Sequence, residues 1–193
     1  MTKADKVTMS RIVLAPLFFI LYSYPILAPI PTLFLLWALF AVIEISDFVD
    51  GKVARSSNEV SDFGKLFDPF ADVLARLTYF ACFAFSGIMP LWIFVIVIYR
   101  EFSINFLRMM LAFKGIAMGA RPGGKLKAGL YMVSGMLALL QTSLERLAIF
   151  SSFLPALKIV VFAAFCIAGL LSVISFVDYL VQFKRLTSKT TNR

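Results

Sequence analysis

Polar residues are sparse along most of this chain and punctuate long apolar runs. A helix needs about 20 predominantly apolar residues to cross a bilayer. Six stretches reach that length, roughly Ile12–Ile30, Thr32–Ala54, Phe63–Ser86, Pro90–Phe113, Lys127–Ala148 and Pro155–Phe183. Pro25, Pro29 and Pro31 break the first from the second, and Gly87 and Pro90 separate the third from the fourth. Gly115, Gly119, Pro122, Gly123 and Gly124 mark a loop before the fifth. The sequence has no internal repeat and no low-complexity segment. The pattern predicts an all-α, polytopic membrane protein of six transmembrane helices, forming one domain over residues 1–193.

Composition sharpens this reading. The chain is 61% hydrophobic and 16% charged, with a mean hydropathy of +0.90. Soluble domains run nearer 45–50% apolar and about 25% charged. A water-soluble fold of 193 residues has no interior large enough to hide 21 Phe. Met1–Arg11 carries Lys3, Lys6 and Arg11 and precedes the apolar Ile12–Leu21, which is the outline of a secretory signal. The further spans behind it favour an uncleaved first helix. The net charge of +8 comes without a long basic run. With this hydropathy it points to an anionic membrane surface, not to nucleic acid. Cys82 and Cys166 lie inside apolar runs and read as small buried hydrophobes, with no disulfide framework and no zinc spacing. There is no histidine. Proton transfer would therefore fall to Asp, Glu, Lys, Tyr or Cys.

The cations set the orientation. Fifteen Lys and Arg residues fall at one set of helix ends, and only Arg146 and Lys158 fall at the other. Basic residues mark the cytoplasmic side. Both termini are expected in the cytoplasm, in a multi-pass protein of the cell membrane.

Carboxylates concentrate where the second span ends and the third begins. Residues three and four apart share a helix face. Asp47, Asp50, Gly51 and Ala54 form one stripe, and Gly64, Asp68 and Asp72 form another. Residues 56–62 can turn the chain so that the stripes face each other at the cytoplasmic end. Four such charges around one space repel strongly and call for a positive partner. Oxygen ligands without His or Cys favour hard cations, so Mg²⁺ or Mn²⁺ is expected, and two pairs of acids suggest two ions. Structural pairing with Lys52, Arg55, Lys65 and Arg76 would not need four acids on two stripes. Gly51, Ala54 and Gly64 let a ligand approach the backbone, though small residues also serve helix packing. Pro69 leaves the Lys65 carbonyl without its usual donor, free for a ligand or a kink.

The run from Asp47 to Asp72 reads D-x2-D-G-x2-A-R-x8-G-x3-D-x3-D. It resembles the signature of the CDP-alcohol phosphatidyltransferases. The resemblance implies a six-helix membrane fold, usually dimeric, that covers the whole chain. It implies that Asp47, Asp50, Asp68 and Asp72 hold two divalent ions against the diphosphate of a CDP-linked lipid. Asp72 would be the base that deprotonates the acceptor hydroxyl. Asp50, Gly51, Ala54, Arg55, Ser61 and Gly64 would lie along the CDP moiety. The acceptor oxygen would attack the phosphorus nearest the lipid, and CMP would leave by direct displacement.

Arg100, Arg108, Lys125 and Lys127 gather toward the same end of the fourth and fifth spans. Positive-inside anchoring explains Arg100 poorly, since it lies about halfway along a span and needs an interior partner such as Glu101 or Asp178. A phosphate on the acceptor would suit Arg100 and Arg108, because guanidinium binds phosphate bidentately. Arg100-Glu101-Phe102 through Arg108, Gly124-Lys125-Leu126-Lys127 and Thr8-Met9-Ser10-Arg11 are similar to the branch of the family that acts on CDP-diacylglycerol and glycerol 3-phosphate. The same chemistry on inositol phosphate, serine or another small alcohol is the alternative. A channel or metal transporter would place its acids near the midplane, often between repeats.

Overall fold

A computed structural model describes residues 3–24, 26–57, 62–116 and 122–191. Side chains are described for residues 8–24, 26–46, 67–116 and 123–188. Six helices follow one another: α1 (Lys3–Ser23), α2 (Pro29–Ser57), α3 (Asp62–Phe85), α4 (Leu91–Phe113), α5 (Pro122–Leu147) and α6 (Leu154–Thr191). Among the described residues there is no strand.

The apolar runs locate every helix and misplace several ends. α1 stops at Ser23, short of Ile30, and it begins nearer the N-terminus, at Lys3. Pro29 and Pro31 do not precede α2 but occupy its first turn, where a missing N–H removes no helical bond. Pro122 likewise starts α5, so Gly123 and Gly124 are helical and not part of a loop. α6 runs past its apolar part to Thr191. Gly87 and Gly115 close α3 and α4 with positive φ of 76° and 70°. In each case the following amide reaches back five residues, Ile88 to the Phe83 carbonyl and Ile116 to that of Leu111. This closure needs a left-handed residue, which glycine adopts without a Cβ clash.

α1 packs against α2 and α3, α4 against α3 and α6, and α5 against α6 and α2. The interior is aromatic. Tyr79 is in edge contact with Phe40 at 5.2 Å and with Phe80 at 5.0 Å, and Phe80 meets Tyr131 and Phe165. Helix α5 comes close because residue 135 is glycine: a Cβ there would lie 3.0 Å from the Phe40 ring. Cys82 is fully buried and Cys166 half-buried, and both are free thiols. Outside this core, large apolar side chains cover the surface, among them Phe34, Phe85, Phe113 and Ile159. Among the described residues, Pro29–Ser46 and Leu154–Ser188 are long and apolar enough to cross a membrane.

Candidate active site

Helix polarity alternates through the bundle, so the starts of α1, α3 and α5 meet the ends of α2, α4 and α6. Asp68 and Asp72 stand one turn apart in the first half of α3. Both are anchored by neighbours. The Thr8 hydroxyl, at the start of α1, donates to Asp68 Oδ1 at 2.6 Å. The Arg76 guanidinium donates to both oxygens of Asp72 at 3.1 Å, and Arg11 Nη1 lies 4.0 Å from Asp72 Oδ1. Arg11 and Arg76 are buried, whereas Asp72 keeps about a quarter of its side chain exposed. The carboxylate therefore turns one side to buried cations and the other to open space.

The rest of the expected carboxylate site rests on α2 and on the α2–α3 connection. Helix α2 carries Asp47, Asp50, Gly51, Ala54 and Arg55, and α3 carries Gly64, but these side chains and Ser61 lie outside the described residues. One contact fixes the two helices nearby. Tyr79 Oη donates to Glu44 Oε1 at 2.8 Å, three residues before Asp47. Among the described residues, no three His, Cys, Asp or Glu side chains converge as a metal site. The described part of the donor set is oxygen-only, from Asp68 and Asp72. It fits a hard divalent cation such as Mg²⁺ or Mn²⁺ and does not suit zinc.

A second cluster adjoins the first. Glu101 is buried between Arg100, whose Nη1 lies 3.0 and 3.1 Å from its two oxygens, and Lys127, which also donates to it. Arg100 Nη2 donates to Ser175 Oγ on α6 at 2.7 Å. Glu101 is thus the interior partner that Arg100 requires, and Ser175 is a second. Lys127 sits 4.4 Å from the centre of the Tyr131 ring, and Arg76 lies 5.9 Å from the same ring. Tyr131 therefore joins the cation cluster to the carboxylates. Arg108 is held more lightly. Its Nη2 donates to Tyr179 Oη at 2.8 Å, and its guanidinium carbon lies 5.4 Å from that ring. It makes no ion pair among the described residues. Lys125 is exposed.

An apolar groove of about 350 Å³ opens beside both clusters. It is lined by Pro69, Phe70, Phe102, Asn105, Phe106, Arg108 and Met109.

Sequence reasoning had not assigned Thr8, Arg11, Glu44, Tyr79, Ser175 or Tyr179 to a site. Arg76 entered only as a structural pairing partner, and it does pair with Asp72. Its spacing of four from Asp72 was a legible signal, since such residues are neighbours on a helix. The others depend on contacts between distant parts of the chain.

Paired acids beside a cluster of cations, at one end of a helical bundle, suit chemistry on phosphates. Comparison with known proteins agrees. The family model for CDP-alcohol phosphatidyltransferase matches residues 1–174, and the chain belongs to that family. The CDP-diacylglycerol–glycerol-3-phosphate 3-phosphatidyltransferase of Treponema pallidum is 35% identical over 156 residues, covering 80% of this chain and 72% of its own. The Bacillus subtilis protein of the same name is 35% identical over 148 residues, covering 69% of this chain and 75% of its own. A Mycobacterium tuberculosis relative is 31% identical over 94% of this chain and 81% of its own.

Proposed function

We propose that this chain is a single-domain, multi-pass membrane enzyme acting on CDP-diacylglycerol. It transfers the phosphatidyl group to glycerol 3-phosphate, forming phosphatidylglycerophosphate and releasing CMP. The observation that carries the reading is the junction at Tyr131, where the Asp72–Arg76 pair adjoins the cluster of Arg100, Glu101 and Lys127. One side offers ligands for a diphosphate-bound cation, and beyond the other, on the same helix as Arg100, Arg108 offers donors for an acceptor phosphate. The names of the Treponema and Bacillus relatives support the same substrates.

The membrane assignment rests on physical grounds. Apolar side chains exposed on every helix would aggregate in water, and the asymmetry of fifteen cations against two supports a cytoplasmic active end. The groove beside Asp68 and Arg108 suits hydrocarbon, which a lipid donor brings. A homodimer is the expected assembly for this family.

In the mechanism, Asp47, Asp50, Asp68 and Asp72 would hold two divalent ions, and these would neutralise the diphosphate charge as CMP departs. Asp50, Gly51, Ala54, Arg55, Ser61 and Gly64 would lie along the CDP moiety. Arg108, with Arg100, Lys125 and Lys127, would orient the acceptor phosphate. Asp72 takes the proton of the acceptor hydroxyl as its oxygen bonds to the phosphorus that bears diacylglycerol. The bond from that phosphorus to the bridging oxygen of CMP breaks, and CMP leaves with the electron pair. Most of the rate in such chemistry comes from positioning and charge stabilisation.

One observation favours an unphosphorylated acceptor such as serine: Arg100 and Lys127 are both already engaged by Glu101. A panel of glycerol 3-phosphate, inositol phosphate, serine and glycerol, offered with CDP-diacylglycerol, decides between the readings. The proposal expects rapid CMP release with glycerol 3-phosphate alone. Preference for serine or glycerol would overturn it.

A further inference from the structure

We propose that Arg76 is a positioning residue that fixes the Asp72 carboxylate in the orientation used for transfer. The proposal rests on the reading of Asp72 as proton acceptor. Arg76 Nη1 donates to Asp72 Oδ2 and Nη2 to Oδ1, both at 3.1 Å. A planar fork bound to both oxygens removes the freedom of the carboxylate to rotate. Each carboxylate oxygen has two acceptor sites. The fork occupies one on each, Arg11 Nη1 stands 4.0 Å from Oδ1, and the sites left over would serve an ion and the acceptor proton.

Burial places this freedom on one side only. The Arg76 side chain is 5% exposed and that of Asp72 24%. The clamp is itself confined. The Tyr131 ring lies to one side, 5.9 Å from the guanidinium carbon. Tyr79, one turn along α3, locks Glu44 in place. Arg76 is thus held away from solvent, and it meets Asp72 from the protein side. An ion pair serving stability alone would need the charge and not the fork. Lysine supplies the first and lacks the second.

The test compares Arg76→Gln and Arg76→Lys with the unmodified protein, all purified in detergent and gel-filtered to the folded fraction. Thermal stabilisation by CDP-diacylglycerol without acceptor is read alongside kinetics. In Arg76→Gln, kcat should fall at least about tenfold, because small misplacements of reacting groups are that costly. KM for each substrate should stay within about threefold, and CDP-diacylglycerol should still stabilise the variant. Arg76→Lys should recover kcat only in part. A folded Arg76→Gln or Arg76→Lys with unaltered kcat overturns the proposal. If Arg76→Gln does not fold, Arg76→Lys decides on the same criterion. Asp72→Asn and the double variant separate this inference from the reading beneath it. An active Asp72→Asn removes both. An inactive Asp72→Asn beside fully active Arg76 variants removes the positioning role alone. In the Asp72→Asn background, adding Arg76→Gln should lower the residual rate no further, and a further large loss would show that Arg76 acts elsewhere.

Discussion

Replacing Arg108 by alanine should weaken the enzyme for its acceptor and spare it for its lipid donor. Two arginines on α4 look equivalent by charge and differ in what holds them. Arg100 is buried, bonded to both Glu101 oxygens and to Ser175. Breaking a buried ion pair typically costs about 3–5 kcal/mol of stability, and Lys127 softens this by remaining on Glu101. Arg100→Ala should therefore show chiefly as lost folding. Among the described residues the Arg108 guanidinium is bonded only to Tyr179, by its hydroxyl and its ring, and it borders the groove, so donors remain for a ligand. A hydrogen bond to a charged group contributes about 1.5–3 kcal/mol, which corresponds to roughly tenfold to a hundredfold in binding. In Arg108→Ala, KM for glycerol 3-phosphate should rise by that factor while KM for CDP-diacylglycerol changes little. Arg108→Lys should recover only part, since an ammonium lacks the planar fork. Steady-state kinetics on the folded, detergent-purified variants, with each substrate varied in turn, make the comparison. An unchanged acceptor KM, or an equal rise for both substrates, would refute the assignment of Arg108 to an acceptor phosphate.

Other perturbations follow from the same geometry. Removing divalent cations with excess chelator should abolish CMP release, and Mg²⁺ or Mn²⁺ should restore it; full turnover in chelator would end the two-ion proposal. Asp72→Asn should lower kcat by about a hundredfold or more, in the range for loss of a general base, with CDP-diacylglycerol binding partly kept; near-normal turnover would remove Asp72 from that role. Gly135→Ala places a Cβ 3.0 Å from the Phe40 ring and 3.2 Å from that of Tyr79. Overpacking of this kind costs about 1–3 kcal/mol, read as a lower unfolding midpoint in detergent; an unchanged midpoint would mean that α5 shifts to make room.

The helices were legible in the sequence because each coincides with a long apolar run bounded by Pro, Gly or charged residues, and hydropathy records such runs directly. Their ends were less so. Hydropathy falls once Lys184 and Arg185 arrive, yet the backbone bonds of α6 continue to Thr191. Pro29 and Pro31 read as breakers although a first turn accepts them. In the site, the spacing of Asp68 and Asp72 survives folding unchanged, because a helix fixes which residues share a face. The partners of these acids come from elsewhere. Thr8 reaches Asp68 across sixty positions and Arg108 reaches Tyr179 across seventy-one. No local pattern encodes such pairs. Arg100 shows the intermediate case: an arginine within an apolar run announces that it needs a partner, and the adjacent Glu101 supplies it, while Ser175 appears only when α4 meets α6.

The most direct test uses glycerol 3-phosphate labelled with oxygen-18 at the primary hydroxyl. The purified enzyme is supplied with CDP-diacylglycerol and Mg²⁺, and both products are weighed by mass spectrometry. Attack by that hydroxyl on phosphorus predicts phosphatidylglycerophosphate carrying the heavy oxygen, formed in step with unlabelled CMP. Label in CMP, or CMP release without phosphatidylglycerophosphate, would contradict the account.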